Sequence, residues 1–325
     1  MIEILSNGAP NLIQDAGRRG HLGLGVSRSG AMDGLALSVG NALVGNEPTD
    51  AAIEISLFPF RVRFAEDQEF AVTGADCAVW LDDTVLAPWW GRTARAGQTL
   101  VIERPKRGAR AYLCLAGGVD VEPVMGSRST DLKGAFGGFE GRGLRRGDAL
   151  KVRAAPARSF RESGLGVVPT DLPQFWRELS AGVVTVRVVT AAEYPQFTDE
   201  AKASFADTEF EITPESNRVG YRLSGASLRL ADPLELLSHG IVPGTIQVPP
   251  SGQPIIQMAE ANTCGGYPKI ATVVEADLWK LAQAPIGSRI RFVVTDVNEA
   301  VESLRARTAE LTKLRRTLTL MSQRG

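Results

Sequence analysis

Two histidines and three cysteines are few for a chain of 325 residues, and their scarcity excludes several chemistries. Cys77, Cys114 and Cys264 lie far apart and form no Cys-x-x-Cys pair. With only His21 and His239 to join them, no zinc-ligand spacing can be assembled, so no metal is expected. An odd, sparse cysteine count suits a reducing cytoplasm. Charge of one sign is also missing. The net charge is -1, with no basic tail and no acidic block, which argues against a nucleic-acid partner or a membrane surface held by long-range electrostatics. No apolar run approaches the roughly 20 residues that cross a bilayer, and the opening residues Met1–Asn7 have no basic region followed by an apolar core. The expectation is a soluble, cytoplasmic protein. Three catalytic or carrier motifs are absent as well: the Gly-x-x-x-x-Gly-Lys-Ser/Thr phosphate loop, the Gly-x-Ser-x-Gly nucleophile elbow and the Met-Lys-Met sequence that carries covalent biotin.

What is present is an ordinary globular balance, 44% hydrophobic and 22% charged, long enough for one large or two medium domains. Strand signals dominate. Phe60–Phe64 alternates apolar and basic residues, and Cys77–Leu81, Leu100–Glu103 and Tyr112–Leu115 are short apolar runs. The second half repeats the pattern at Val183–Val189, Ser227–Leu230, Ile270–Val274 and Arg289–Val294. One clear helix runs from Asp33, a natural cap, to about Leu43, with Gly45 and Asn46 ending it. Short helices are expected near Thr198–Phe205 and Asp277–Ala282. Residues 154–182 are rich in Ala, Pro, Ser and Gly and read as a linker or wrapping arm. The expected organisation is a unit at 1–155, a linker at 156–182 and a second unit at 183–325. Short strands with few helices indicate a mainly β protein of barrels or sandwiches. From Asp296 to about Ser322, Val297, Val301, Leu304, Leu311, Leu314 and Leu318 recur at helical spacing. That helix either packs on its own barrel or docks another protein or a symmetry mate.

The densest chemistry lies in residues 244–269, where four glycines and four prolines punctuate strand-like residues. Glycine allows close backbone approach and proline fixes φ, so this frame could hold Gln247, Gln253, Gln257, Glu260, Asn262 and Lys269 in place. A run of tight hairpins would explain the same residues. Lys269 could steady a developing oxyanion or a phosphate, or be a solvated neighbour of the turn. Near the N-terminus, Asp15, Arg18, Arg28, Ser29 and Asp33 sit among glycines. Two guanidinium forks there could clamp a carboxylate or phosphate; alternatively Arg28 and Asp15 form a structural ion pair that pins the loop, with Asp33 serving only as a cap. Asn217 and Arg218 before Gly220-Tyr221 could bind an amide or carboxylate, or close a strand-end network.

These segments together resemble one family. Ile13-Gln-Asp-Ala-Gly-Arg-Arg-Gly-His21, Gly25-Val-Ser-Arg-Ser-Gly-Ala-Met-Asp33, Ala116-Gly-Gly-Val-Asp120, Gly126-Ser-Arg-Ser-Thr130, Ser216-Asn-Arg-Val-Gly-Tyr-Arg-Leu223 and the 244–269 segment occur in the order seen in the allophanate hydrolase subunit 2 family, also called the KipA or biotin-dependent carboxyltransferase-like family. The likeness runs from about residue 10 to about 295. It implies two cyclophilin-like β-barrel units plus a C-terminal helix. Many bacterial members are the C component of an ATP-dependent 5-oxoprolinase, which opens the lactam of L-5-oxoproline to L-glutamate. The resemblance therefore implies ATP as a cofactor, held here or on a partner, and no covalently attached biotin. It also implies a KipI-like B component and a LamB/YcsF-like A component of the 5-oxoprolinase as partners. Inactivity of the chain alone follows from that, as does an assembly that allows a homodimer of B–C pairs.

On that reading Glu260 and Lys269 are the catalytic candidates. Arg28, Ser29, Asn217, Arg218, Tyr221, Gln247, Gln253, Gly265 and Gly266 are substrate-binding candidates, and Asp15 and Asp33 support loops. Several residues depart from the family pattern: Glu260 stands where Asp is usual, His239 where Glu is usual, Asn262 where Gln is and Cys264 where Thr is. The extra methylene of Glu260 would shift a carboxylate by about a bond length, enough to matter for rate, which puts urea in doubt as a substrate and makes Glu260 a candidate general base or a hydrogen-bond acceptor for an amide N–H. The Ser-Ser-Lys chemistry of a true allophanate hydrolase is not visible. Two other readings stay open: a carboxyltransferase acting on a urea-like nitrogen with carboxybiotin on another chain, and a KipA-like non-enzymatic regulator.

Overall fold

In a computed structural model of the chain, residues 1–6, 10–155 and 164–322 are described. They fold into two compact units: Met1–Arg18, Ser29–Thr170 and Ala309–Gly325 form the first, and Arg19–Arg28 with Asp171–Thr308 form the second. The protein is mainly β, as its strand signals imply.

The first unit contains two six-stranded sheets. One runs Ala149–Leu150, Ile2–Ile4, Phe60–Phe64, Thr99–Ile102, Val79–Leu81, Thr84–Leu86; the other runs Leu165–Gly166, Trp90–Ala94, Gln68–Asp76, Arg107–Leu115, Ala52–Ile55, Leu12–Gln14. The alternation of Phe60–Phe64 becomes a burial alternation, with Phe60, Val62 and Phe64 inside and Arg61 and Arg63 outside. These three pack with Ile2, Ile4 and Val72 in one apolar core, and each such side chain contributes roughly 1.5–3 kcal/mol over leaving it in water. The helix Gly34–Leu43 starts where Asp33 Oδ1 accepts the Ala36 N–H at 2.8 Å and ends before Gly45, whose φ is 75°. Almost every residue of it is buried.

Asp15 organises the glycine-rich N-terminal segment. Its carboxylate accepts from Ser127 Oγ at 2.6 Å, Ser129 Oγ at 2.5 Å, the Arg128 N–H at 2.5 Å and the Gly17 N–H at 2.8 Å. Asp15 is buried, so these four donors replace the water that an ionised carboxylate would otherwise require.

The second unit is a closed seven-stranded barrel in the order Val183–Thr190, Lys269–Val273, Thr245–Gln247, Ile255–Gln257, Gly220–Ser224, Glu209–Ile212, Arg289–Val294. It closes through the parallel pairing of Val183–Thr190 with Arg289–Val294, the other ladders being antiparallel. The helix Asp199–Asp207, capped by Thr198, stacks Phe205 on Phe292 at 4.7 Å between ring centroids. A two-stranded ribbon, His239–Gly240 against Cys264–Gly265, stands apart from the barrel sheet. Cys264 is exposed on it, while Cys77 and Cys114 are buried in the first unit.

Two segments differ from the sequence expectation. Ser227–Leu230 forms no strand. Its neighbour is the turn at 249–252, so it makes only the Leu228 N–H bond to the Gly252 carbonyl and a single bridge between Leu230 and Phe197. Within the segment read as a linker, Leu172–Ser180 is a helix that buries Phe175 and Trp176, with Phe175 packed on Trp279 at 4.8 Å. The pair of aromatics outweighs the surrounding Ala, Pro, Ser and Gly. Residues 156–163 of that segment lie outside the described residues. The C-terminal helix runs Val297–Ser322. In the second unit its Arg307 lies over Trp279 and pairs with Asp171; in the first, Arg315 pairs with Glu47 and Leu318 is buried. Among the described residues no helix is long and apolar enough to cross a membrane.

A bidentate pair fixes the short helix Leu278–Gln283 to the barrel. Arg187 Nε and Nη2 donate to Asp277 at 2.9 and 2.7 Å, and the Arg187 N–H adds a third bond at 2.9 Å. Burial alone would raise the Asp277 pKa, but the bonds from Arg187 and the charge of Lys280 hold it below the ordinary carboxylate range. A carboxylate with a lowered folded-state pKa stabilises the fold above its unfolded value, about 3.9, and that stabilisation disappears as pH falls through the lowered value. Acid unfolding followed by circular dichroism should therefore be shallower below about pH 4 in Asp277→Asn than in wild type, with a loss near pH 7 of about 2 kcal/mol, discounted for the partly exposed Arg187. Asp15→Ala leaves four donors facing a dry gap and should cost about 3 kcal/mol in urea unfolding, whereas a loss below about 0.5 kcal/mol would mean that Asp15 does not hold this segment.

Candidate functional site

The barrel topology brings three chain segments to one place in the second unit. Lys269 is the first residue of its strand and Gln247 the last of its own, and a register shift after Ile246 sets the two opposite each other. The strand Val183–Thr190 lies on the other edge of Lys269–Val273 and runs out into the turn that carries Glu193. The Lys269 N–H donates to Glu193 Oε2 at 3.2 Å. From the ribbon, His239 comes within bonding distance of Lys269 Nζ through its Nε2, and Nε2 lies 3.7 Å from Glu193 Oε1. His239 Nδ1 lies 3.0 Å from the Leu237 carbonyl. A carbonyl only accepts, so Nδ1 carries the proton in the neutral ring and Nε2 is left as an acceptor; Nε2 is the nitrogen nearer the amine, with Nδ1 3.4 Å from Nζ.

Gln247 and Lys269 are both largely buried. Burial pushes the Lys269 amine below the ordinary lysine range, and the Glu193 carboxylate opposes that shift. Gln247 Oε1 accepts from Gln257 Nε2 at 3.0 Å, which turns Gln247 Nε2 the other way, where it has no hydrogen-bond partner. Gly265 lies directly against this amide: a Cβ there would stand 2.5 Å from Gln247 Nε2. A side chain at 265 would displace that amide from its place. Gly266 is less tight, with the Leu236 carbonyl 3.2 Å from a notional Cβ.

Glu260, a candidate general base or hydrogen-bond acceptor in the sequence, has a charged partner in the structure. It is buried, its Oε1 accepts from Arg218 Nε at 2.8 Å, and its N–H donates to the Arg218 carbonyl at 2.9 Å. No hydrogen bond or ion pair joins it to Lys269 among the described residues, so the two catalytic candidates belong to separate clusters. Asn217 Oδ1 accepts from the Val219 and Gly220 N–H groups at 2.8 and 3.4 Å, shaping the turn that presents Arg218. Tyr221 is buried on the strand opposite Ile256. Gln253 is bonded at both ends of its amide to the Gly225 backbone, at 2.9 and 3.2 Å.

The N-terminal candidates have local partners. Arg18 is buried, donates to the Ser129 carbonyl and lies over the Phe136 ring at 4.6 Å. Ser29 is buried with φ 51° and donates to Asp131 Oδ2 at 3.3 Å. In the second unit Arg28 is partly exposed, 3.9 Å from Glu275. The residues missed by sequence reasoning are Glu193 and His239 as partners of Lys269. Neither carries a local motif, and only the pairing of distant strands joins them. Among the described residues no group of three or more His, Cys, Asp or Glu side chains is set to hold a metal ion.

Residues 24–294 match the family described as carboxyltransferase domain, subdomain A and B. The chain is 42% identical over 303 residues to the C component of the 5-oxoprolinase of Escherichia coli (strain K12), covering 93% of this chain and 94% of that protein. It is also 42% identical over 316 residues to the same-named protein of Haemophilus influenzae (strain ATCC 51907 / DSM 11121 / KW20 / Rd), covering 97% and 98%. In structure it resembles the urea amidolyase of K. lactis with a TM-score of 0.86 and 28% identity, over 96% of this chain but only 20% of that much longer one. Sequence match and barrel geometry agree, and the chain belongs to the carboxyltransferase-domain family, within which it is similar over nearly its whole length to proteins named as the C component of 5-oxoprolinase.

Proposed function

We propose that this chain is the C component of an ATP-dependent 5-oxoprolinase, opening the lactam of L-5-oxoproline to L-glutamate together with a KipI-like B component and a LamB/YcsF-like A component. The observation that carries the reading is the near full-length 42% identity to two proteins of that name. The site chemistry suits the substrate. A lactam offers a carbonyl oxygen that takes a proton donor and a ring nitrogen that must gain a proton before it can leave. Gln247 Nε2 is a buried donor held in one orientation by Gln257, and Lys269 beside it supplies a cation. Fixed donors in a dry site favour charge on the carbonyl oxygen more than water does.

ATP, when bound, supplies the phosphoryl group that makes the lactam carbon electrophilic; we assign it to no residue of this chain. Arg28 remains a candidate for the substrate carboxylate. Arg218 and Glu260, as a buried ion pair, hold the loop that leads into the ribbon. A second reading, carboxyl transfer to a urea-like nitrogen, draws support from the fold shared with urea amidolyase, since both reactions need an amide-shaped pocket.

The deciding assay is ATP-dependent glutamate release from 5-oxoproline by this chain co-expressed with its KipI-like and LamB/YcsF-like neighbours. Urea with a biotin carboxylase serves as the control substrate. We expect glutamate from the wild-type complex, none from the chain alone, and a rate at least about 100-fold lower with Lys269→Met. Carboxylated urea without glutamate would replace this reading with the second one. For the ion pair, Arg218→Ala, Glu260→Ala and the double variant should be strongly non-additive, with a coupling of about 2 kcal/mol in thermal unfolding. Additive losses would show that the two side chains act independently and would return Glu260 to the role of a proton carrier.

A further inference from the structure

We propose that Glu193 and His239 are positioning residues that set the protonation of Lys269, which gives its proton to the lactam nitrogen as the ring opens. This rests on the lactam reading above. The geometry comes first. With the Leu237 carbonyl taking the Nδ1 proton of a neutral His239, Nε2 is the unprotonated nitrogen, and it is the one nearer Lys269 Nζ, with Nδ1 3.4 Å from the amine. Glu193 is anchored independently, by the Lys269 backbone N–H on Oε2, which leaves Oε1 beside the imidazole edge.

The charged and titratable groups that these contacts set against Lys269 are therefore two. His239 comes from the ribbon and Glu193 from the turn after Val183–Thr190. The strand on the other side, Thr245–Gln247, contributes the neutral Gln247. An amine so placed has two opposing influences. Removal from water favours its neutral form, while the Glu193 carboxylate favours the ammonium, and a nitrogen that accepts from Nζ acts in the same sense. The result is a proton held firmly enough to be present at the start and loosely enough to leave.

The step balances simply. The carbonyl carbon, activated by the phosphoryl group of ATP, has added water. As its bond to nitrogen breaks, the electron pair stays on nitrogen, and that nitrogen takes the proton from Nζ. Cleavage leaves a free amine and an acyl phosphate, the proton of the added water passing to solvent. A second water then releases inorganic phosphate and leaves the carboxylate, while Lys269, left neutral, regains a proton from solvent. Neither Glu193 nor His239 touches substrate in this scheme.

The test reads the amine directly. Competitive acetylation with acetic anhydride across pH, followed by peptide mass spectrometry on the assembled complex, gives the titration midpoint of Lys269 against the other lysines. It is made on wild type, Glu193→Gln, His239→Leu and His239→Gln, with the pH profile of kcat/KM in parallel. We expect Lys269 to titrate below the other lysines. Glu193→Gln and His239→Leu each remove something that favours the ammonium, so each should lower the midpoint further, by roughly one pH unit. His239→Gln keeps an acceptor and should stay close to wild type. Because the protonated amine is the active form, activity is lost as pH rises through the midpoint, so the basic limb of the profile should move to lower pH by the same amount. Equal midpoints in all four proteins would overturn the proposal, as would shifted midpoints with an unmoved basic limb. Shifted midpoints in a complex that forms no glutamate would uphold the coupling and overturn the oxoprolinase reading. Glutamate formation with unmoved midpoints would do the reverse.

Discussion

Closure of the seven-stranded barrel is the constraint from which the site follows. Val183–Thr190 pairs in parallel with Arg289–Val294 on one edge and antiparallel with Lys269–Val273 on the other. A parallel pair cannot be joined by a tight turn, so the chain between these two strands must supply the rest of the barrel, two helices and the ribbon before it returns. That detour brings Gln247, His239, Gly265 and Lys269 to the same end as the exit of Val183–Thr190, where Glu193 sits. The antiparallel register of Thr190 with Ala271 sets the start of Lys269–Val273 beside the turn after Thr190, and so beside the carboxylate that opposes the desolvation of Lys269.

Local pattern revealed much of this architecture, and for identifiable reasons. The alternating Phe60–Phe64, the Asp33 cap and the Thr198 cap are signals complete within a few residues, and the structure has elements at all three. Ser227–Leu230 shows the limit. Its apolar alternation is real, but a strand exists only where a neighbour offers a ladder, and here the neighbour is a turn. The helix at Leu172–Ser180 shows the opposite limit, since two aromatics in a dilute segment are enough once Trp279 is there to receive them.

The site was legible only in part, and along the same line. The 244–269 segment drew attention through its glycines and prolines, and Gln247, Gly265 and Lys269 do come together there. Glu260 reads in sequence as an available carboxylate because nothing nearby shows that Arg218, 42 positions earlier, takes its Oε1. Glu193 is invisible for the matching reason: it lies in an ordinary turn, 76 positions from the lysine whose backbone it accepts from. The family likeness identifies which segments matter, while the ladder decides which of their side chains meet.

The scarcity of cysteine has a practical side. Burial pushes the Cys77 thiol up to about 12 and the Cys114 thiol higher still, so neither forms thiolate near neutrality. Cys264 is exposed on the ribbon, next to the glycine that lies against Gln247 and across from His239–Gly240. The unmodified chain is thus already a single-site labelling substrate: a thiol-reactive fluorophore or spin label would report from the ribbon alone, without any engineered background, at the one element that brings an imidazole to the buried amine.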